Sequence, residues 1–383
     1  MKMATYKIKD ICDVINGRAY LQPELQKTGK YRILRVGNFF SSDRWYYSDM
    51  ELTDNKYCCE GDLLFAWSAS FGPKIWHGEK TIYHYHIWKM VPHEEVDKYY
   101  LYYWLRMSVD NLTAGTHGSV MAHMTKNDME NFFIDLPDKK TQEGVAAILA
   151  TLDSKIECNA QINRNLEQQA QAIFKSWFVE TVNPHCHVGT IADLGEVVGG
   201  STPSKAHSEY YTEHGIAWIT PKDLSMDKSK FITHGEIDIT QAGLNNSSAK
   251  VMPKGTVLFS SRAPIGYIAI AAGEVCTNQG FKSVVPHVHI ATPYVYFFLK
   301  ENLPSIEGVA TGSTFKEVSG SAMKSVPAII PDSDTLNRFT ELCVPIFTEQ
   351  EKLEAESRRL ATLRDTLLPR LMSGEIDVSE VEV

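Results

Sequence analysis

The chain holds 383 residues, 43% hydrophobic and 22% charged, an ordinary globular composition with length for two or three domains. Its formal charge of −9 argues against a uniformly basic nucleic-acid binder, although a local basic face survives a negative total. Seven cysteines without a C-x-x-C pair read as free thiols of a reducing compartment. With no signal-peptide core and no apolar run near ~18 residues, the chain is expected to be soluble and cytoplasmic, with no membrane contact.

Residues 1–137 read as an α+β module. It enters on Ile8, Asp10 and Ile11, followed by Val14 and Gly17. Residues 31–36 and 63–67 are short β-rich runs between Gly, Asn and Pro punctuation, and 98–109 is an aromatic-rich helix. Residues 138–180 then carry a helical seam: Val145, Leu149, Leu152, Ile156, Asn159, Asn163, Leu166, Ala170, Ile173 and Trp177 alternate steps of four and three, the spacing of coiled-coil core sites. From residue 142 to 178 such a helix spans ~55 Å at ~1.5 Å per residue.

Residues 181–331 repeat the first module. Ile191, Asp193, Leu194, Val197 and Gly200 return at an offset of 183 from Ile8, and Gly255, Phe259, Gly266, Gly312 and Ser313 at an offset of 194 from Gly61, Phe65, Gly72, Gly118 and Ser119. Residues 257–261 and 267–271 are the matching strands and 293–300 the matching helix. Residues 332–383 repeat the seam at the same offset of 194: Phe339, Cys343, Ile346, Gln350, Leu353, Ser357, Leu360, Arg364, Leu367 and Leu371. The acidic end, with Glu375, Asp377, Glu380 and Glu382, is expected to fray. A repeat this long means two domains, and a quasi-twofold object suits a twofold partner such as duplex DNA with split half-sites.

Two arrangements fit the helices. Each packs on its own module, or the two pair. Connectivity through a whole folded module favours antiparallel pairing, and Asn159, Asn163, Gln350 and Ser357 would then set the register. Phe174, Trp177 and Phe178 read as an apolar outer face for partners to cover.

Familiar catalytic signatures are missing. There is no phosphate-binding G-x-x-x-x-G-K-[ST], no G-x-G-x-x-G after a strand and no Asn-Pro-Pro-Tyr type motif of an amino-methyltransferase. His185, Cys186 and His187 fit no zinc pattern and read as linker. Residues 83–89 read as a strand placing His84 and His86 on one face, a ligand pair without a third member. No catalytic residue and no metal are expected.

Polar groups in the Gly-rich loops and at strand ends are the candidate DNA contacts, because Arg, Asn, Gln and small hydroxyls suit base edges and phosphates. In the first module they are Arg32, Arg35, Asn38, Arg44, Ser68, Lys74, His117, Ser119 and Lys126. In the second they are Ser201, Thr202, Lys205, Lys222, Asn245, Asn246, Arg262, Asn278, Gln279, Ser313, Thr314 and Lys316. Strand alternation sets Arg32 opposite Arg35.

Residues 148–156 (ILATLDSKI), 163–166 (NRNL), 172–178 (AIFKSWF) and 363–376 (LRDTLLPRLMSGEI), with 253–262 (PKGTVLFSSR), resemble the specificity subunit of type I restriction–modification systems over nearly the whole chain. The resemblance implies two target recognition domains joined by two long helices forming an antiparallel coiled coil. Each domain would read one half of a bipartite duplex sequence, and the helices would set the spacing. It further implies that the helices dock two methyltransferase subunits and, through them, restriction subunits. S-adenosylmethionine, ATP and Mg would sit on those partners. The partner seam would be Leu149, Leu152, Ile156, Asn159, Asn163, Leu166, Ile173 and Trp177 with Ile346, Gln350, Leu353, Ser357, Leu360, Leu367 and Leu371. One departure stands out: the first helical region opens Asp138 to Gln142, whereas the second opens Asp332 to Leu336 without the Gln. The competing interpretation is a duplicated protein–protein interaction scaffold without DNA specificity.

Overall fold

Each repeat folds around a central strand buried on both faces, Leu63–Ser68 in one and Val257–Ser261 in the other. The computed structural model describes residues 3–40, 44–113, 123–181, 186–313 and 316–378. They form two compact units, residues 1–156 with 359–383 and residues 157–358. This division cuts across the sequence boundaries, because each long helix contributes one end to each unit.

In the first unit, Leu63–Ser68 lies between Ile87–Pro92 and Ser70–Ile75, and Cys12–Asn16 completes an antiparallel sheet. A second sheet pairs Tyr31–Leu34 in parallel with Thr81–Tyr83. In the second unit, Val257–Ser261 lies between Lys282–Pro286 and Ile265–Ala271, with Gly195–Gly199 at one edge. Trp218–Ile219 pairs in parallel with Cys276–Thr277. The helix Lys98–Thr113 has its counterpart in Thr292–Glu301, and Lys126–Asn131 in Gly320–Ser325. Each onset is displaced by the 194 residues read from the sequence.

The long helices Lys139–Phe178 and Ser333–Met372 are 40 residues each, so each is ~60 Å long. Both start on the same N-cap: Asp138 accepts from the Thr141 N–H at 3.1 Å, and Asp332 from the Thr335 N–H at 3.0 Å. Gln142 is buried, accepts from the Asp97 N–H and donates to the Pro137 carbonyl. At the equivalent position Leu336 fills the space with apolar surface, so the second helix starts without the Gln.

Both proposed helix arrangements hold at once. In the second unit the helices pair antiparallel: Asn159 donates to Glu356 at 2.7 Å and to Ser357 at 3.3 Å, and Gln350 donates to the Asn163 carbonyl at 3.1 Å. In the first unit Arg364 donates to Asp153 at 2.5 Å, and Tyr103 donates to the other oxygen of Asp153 at 2.8 Å. The same helices also enter the module cores. Leu149, Leu368, Leu371 and Met372 pack with Tyr100, Leu101 and Leu105. Phe174 and Phe178 pack with Tyr294, Phe297 and Phe339. The expectation that Phe174 and Phe178 lie on an outer face is therefore corrected: they are 2% and 7% exposed. Ile173 and Trp177, assigned to the seam, are only half-buried, as are Leu152, Ile156, Leu166, Ile346, Leu360 and Leu367. A helix end facing two neighbours buries a wider stripe than a two-helix seam, which moves the most buried position by one residue.

A buried ionic cluster joins the second module to its helices. The Lys230 ammonium donates to Glu167 at 2.7 Å and to the Gln350 side chain at 2.8 Å, and lies over the Phe347 and Tyr296 rings. Lys300 and Tyr296 also donate to Glu167, and Glu354 accepts from the Lys230 and Phe231 N–H groups. Burial pushes Lys230 down to about 8. Burial alone would raise Glu167, but Lys230 and Lys300 outweigh it and hold the carboxyl below its ordinary range.

The frayed end is also corrected through residue 378. Val378 is buried against Gly144, and Arg370 donates to Glu375 at 2.8 Å. Residues 379–383, including Glu380 and Glu382, lie outside the described residues. Among the described residues no helix is long and apolar enough to cross a membrane.

Candidate nucleic-acid interface

The two modules share one backbone device. Where Leu63–Ser68 turns into Ser70–Ile75, Ala69 has φ 66°, and after Val257–Ser261, Ala263 has φ 49°. Both alanines occupy the left-handed region, which costs a residue with a Cβ about 1 kcal/mol or more. Ala69→Gly is accordingly expected to stabilise the chain by about 1 kcal/mol, read as a raised urea midpoint at unchanged slope. Strained turns held in place by their surroundings concentrate at functional sites.

Two further contacts recur at each tip. Ser68 bridges to His123, and Arg262 bridges to Glu317. Gly17 and Gly200 seat a neighbouring loop: a Cβ at Gly17 would meet the Tyr83 and His84 carbonyl oxygens at 2.4 Å, and one at Gly200 the Asn278 oxygen at 2.0 Å. This close approach explains the Val-x-x-Gly pattern opening each module. It sets residues 84–86 of the first module, and 278–280 of the second, beside the hairpin tip.

The side chains at this shared locus differ. In the first unit it is aromatic. Trp67 stacks on Trp88 with centroids 5.4 Å apart and meets Tyr85 edge-on at 5.9 Å. These rings, with Asn16, Gly17, Ala19, His123, Met124, Thr125 and Lys126, line an open cleft of about 500 Å³. Residues 84–86 form a turn, not the strand expected from their alternation. Burial, then His86 and Arg35, pushes His84 down to about 4, so it is neutral at pH 7. Among the described residues no group of three His, Cys, Asp or Glu could hold a metal.

The basic candidates of the first module each have local partners. Arg35 and Arg44 lie over the Tyr46 ring at 5.1 and 5.3 Å, and Asn38 donates to the Arg44 carbonyl at 2.9 Å. Arg32 lies over Trp45 and pairs with Glu79 at 3.2 Å. Arg35 falls just past the strand Tyr31–Leu34, so strand alternation does not relate it to Arg32. Lys74 donates to the Phe39 carbonyl at 2.6 Å, and Lys126 pairs with Glu130 at 3.2 Å. Ser68 is 5% exposed, which takes it out of reach of a ligand on this surface. His117 and Ser119 lie outside the described residues.

In the second unit the locus is charged and polar. Arg262 and Lys282 each stand 3.4 Å from Glu317, Thr202 hydrogen-bonds Gln279, and the Ser201 N–H donates to the Thr277 carbonyl at 2.9 Å. Asn278 accepts from the Gly280 N–H at 2.8 Å and so shapes the turn. Lys222 pairs with Glu236. Asn245 and Asn246 sit at the end of the helix Gln241–Asn245, bonded to Gln241 and the Ala242 carbonyl. Lys205, Ser313 and Lys316 are exposed, and Thr314 lies outside the described residues. The structure thus brings Thr202, Arg262, Asn278 and Gln279 to one locus and leaves Asn245 and Asn246 on a separate helix. Trp67, Tyr85, Lys282 and Glu317 belong to the locus and were missed. The shared offset would have found Tyr85, since the candidate Gln279 lies 194 residues after it.

Residues 1–168 and again residues 185–352 match the family described as the type I restriction modification DNA specificity domain. The chain is 40% identical over 163 residues to the type I restriction enzyme MjaIX specificity subunit of Methanocaldococcus jannaschii, covering 42% of this chain and 38% of that one. It is 25% identical over 342 residues to the type I restriction enzyme HindI specificity subunit of Haemophilus influenzae, covering 69% of this chain and 73% of that one. Its fold is similar to the crystal structure of the type I restriction-modification system S subunit from M. genitalium, with a TM-score of 0.64 and 17% identity over 97% of this chain and 96% of that one.

Proposed function

The chain belongs to the type I restriction modification DNA specificity family, which it matches twice, and from that premise we propose that it is the sequence-reading, non-catalytic subunit of a type I restriction–modification complex. Each module reads one half of a bipartite duplex target. The long helices set the spacing and dock two methyltransferase subunits, which carry S-adenosylmethionine. Restriction subunits, with ATP and Mg, join through them. The observation that carries this reading is the shared locus: equivalent backbone devices at Gly17 and Gly200, and at Ala69 and Ala263, present different side chains. One scaffold with two sets of contacts is what reading two different half-sites requires. Local Arg side chains answer the negative total charge, because Arg35, Arg44 and Arg262 lie at or beside the loci.

Methylome sequencing of cells with and without this gene tests the reading. The expected result is a bipartite adenine-methylated motif that disappears on deletion and returns with the gene. An unchanged methylome in cells that retain the methyltransferase subunit would overturn it.

A further inference from the structure

We propose that the aromatic cleft of the first unit reads the 5-methyl group of a thymine in the major groove, so the half-site of the first module contains a thymine recognised through apolar contact. This rests on the reading of the chain as a DNA specificity subunit.

The cleft occupies the locus that in the second unit holds Arg262, Gln279, Lys282 and Glu317. Under the common offset Trp67, Tyr85, Trp88 and His123 stand where Ser261, Gln279, Lys282 and Glu317 stand. The second unit therefore offers this locus amide, guanidinium and carboxylate groups, the chemistry that pairs with base-edge donors and acceptors. The first unit offers rings.

The hydrogen bonds of the cleft point the same way. The Trp67 indole N–H donates to the Tyr85 carbonyl at 2.8 Å, and the Trp88 indole N–H to the Asn16 side chain at 2.7 Å. The Thr125 hydroxyl donates to Asp128 at 2.7 Å, and Lys126 faces Glu130. Among the described residues no carboxylate lines the cleft. Most of what remains for a ligand is ring face and edge, led by Tyr85 at 38% exposure. A cleft lined mainly by ring surface discriminates chiefly by shape and apolar contact. In the major groove the apolar feature is the thymine methyl, since the other base edges present donors and acceptors. Arg35 and Arg44 supply nearby positive charge for the backbone phosphates.

The test is fluorescence anisotropy with the full-length chain, co-purified with its methyltransferase subunit, on duplexes carrying the motif defined by the methylome. Each thymine of each half-site is replaced singly by uracil, which lacks the methyl. One replacement, in one half-site, is expected to weaken binding about fourfold, the fold-change of leaving one methyl group unburied. Tyr85→Ala should weaken binding to the thymine duplex and abolish its distinction from uracil. Tyr85→Phe, which keeps the ring, should retain it. If no thymine is sensitive, or if Tyr85→Ala still discriminates fully, the inference is overturned while the specificity reading stands. If the wild-type complex prefers no bipartite sequence, both are overturned.

Discussion

Glu167→Ala is expected to destabilise the chain by about 3 kcal/mol, read as a fall in the urea midpoint. The carboxylate accepts from Lys230, Lys300 and Tyr296, and the Lys230 side chain is only 8% exposed. Removing one partner of a buried pair leaves the other charge without compensation, at a cost of about 3–5 kcal/mol. The lower end applies because Glu167 itself is 22% exposed and Lys230 keeps the Gln350 oxygen and the Phe347 ring. Lys300, at 38% exposure, is hydrated without its partner and adds little.

The same substitution has a signature in pH. The Glu167 carboxyl is held below its ordinary value of 4.5, so its contribution is fully present above that value and is lost as pH falls through the folded value. The variant should lack this part of the acid limb. Lys230 behaves oppositely. Its folded value, about 8, lies below its ordinary 10.5. The wild type therefore gains stability as pH rises from about 8 to 10.5, the window in which the folded chain binds fewer protons than the unfolded one. Deleting Glu167 removes an attraction that keeps the lysine protonated, so that window opens at lower pH. Between neutrality and pH 8 the variant should gain on the wild type. Parallel stability curves across both windows would show that the pair is not a buried anchor.

Periodicity and repetition made the architecture legible, because they depend on local spacing that tertiary contacts preserve. The 194-residue offset located both helices and the strands Leu63–Ser68 and Val257–Ser261. The polar seam members Asn159 and Gln350 were identified from heptad position alone, and they are 0% and 3% exposed. What failed depended on distant neighbours. Residues 83–86 alternate Tyr and His as a strand would, but the strand ends at Tyr83 and the backbone then turns against Gly17. Lys230 sits in a polar stretch that reads as a solvated loop, and only the helices and rings around it make it a core residue. Phe174 and Phe178 look like outer-face residues until the helix Thr292–Glu301 is laid on them. At the locus the two modules share, the sequence reading named polar side chains, following the hydrogen-bonding code, and passed over the aromatic surface that takes the same place in the first module.

Inserting one heptad into both long helices should abolish methylation at the original target and create a target with a longer spacer. The insertions belong between the Asp153–Arg364 and Asn159–Ser357 layers, after residue 156 in the first helix and after residue 358 in the second. Seven residues keep the apolar and polar seam positions in phase and add about 10 Å at ~1.5 Å per residue. Duplex DNA rises about 3.4 Å per base pair, so the length alone corresponds to about three base pairs. Twist opposes the full amount. Each added pair rotates the second half-site by roughly a tenth of a turn, while a heptad returns the helix nearly to its starting face. The new spacer should therefore exceed the old by about one to three base pairs, and the half-site sequences should be unchanged because neither locus is altered. Inserting the heptad into one helix only should instead mismatch the Asn159–Ser357 layer against the Asp153–Arg364 layer and lower stability. Methylome mapping of cells carrying the double insertion reads the result directly. Persistence of the original spacing would mean that the helices do not measure the distance between half-sites.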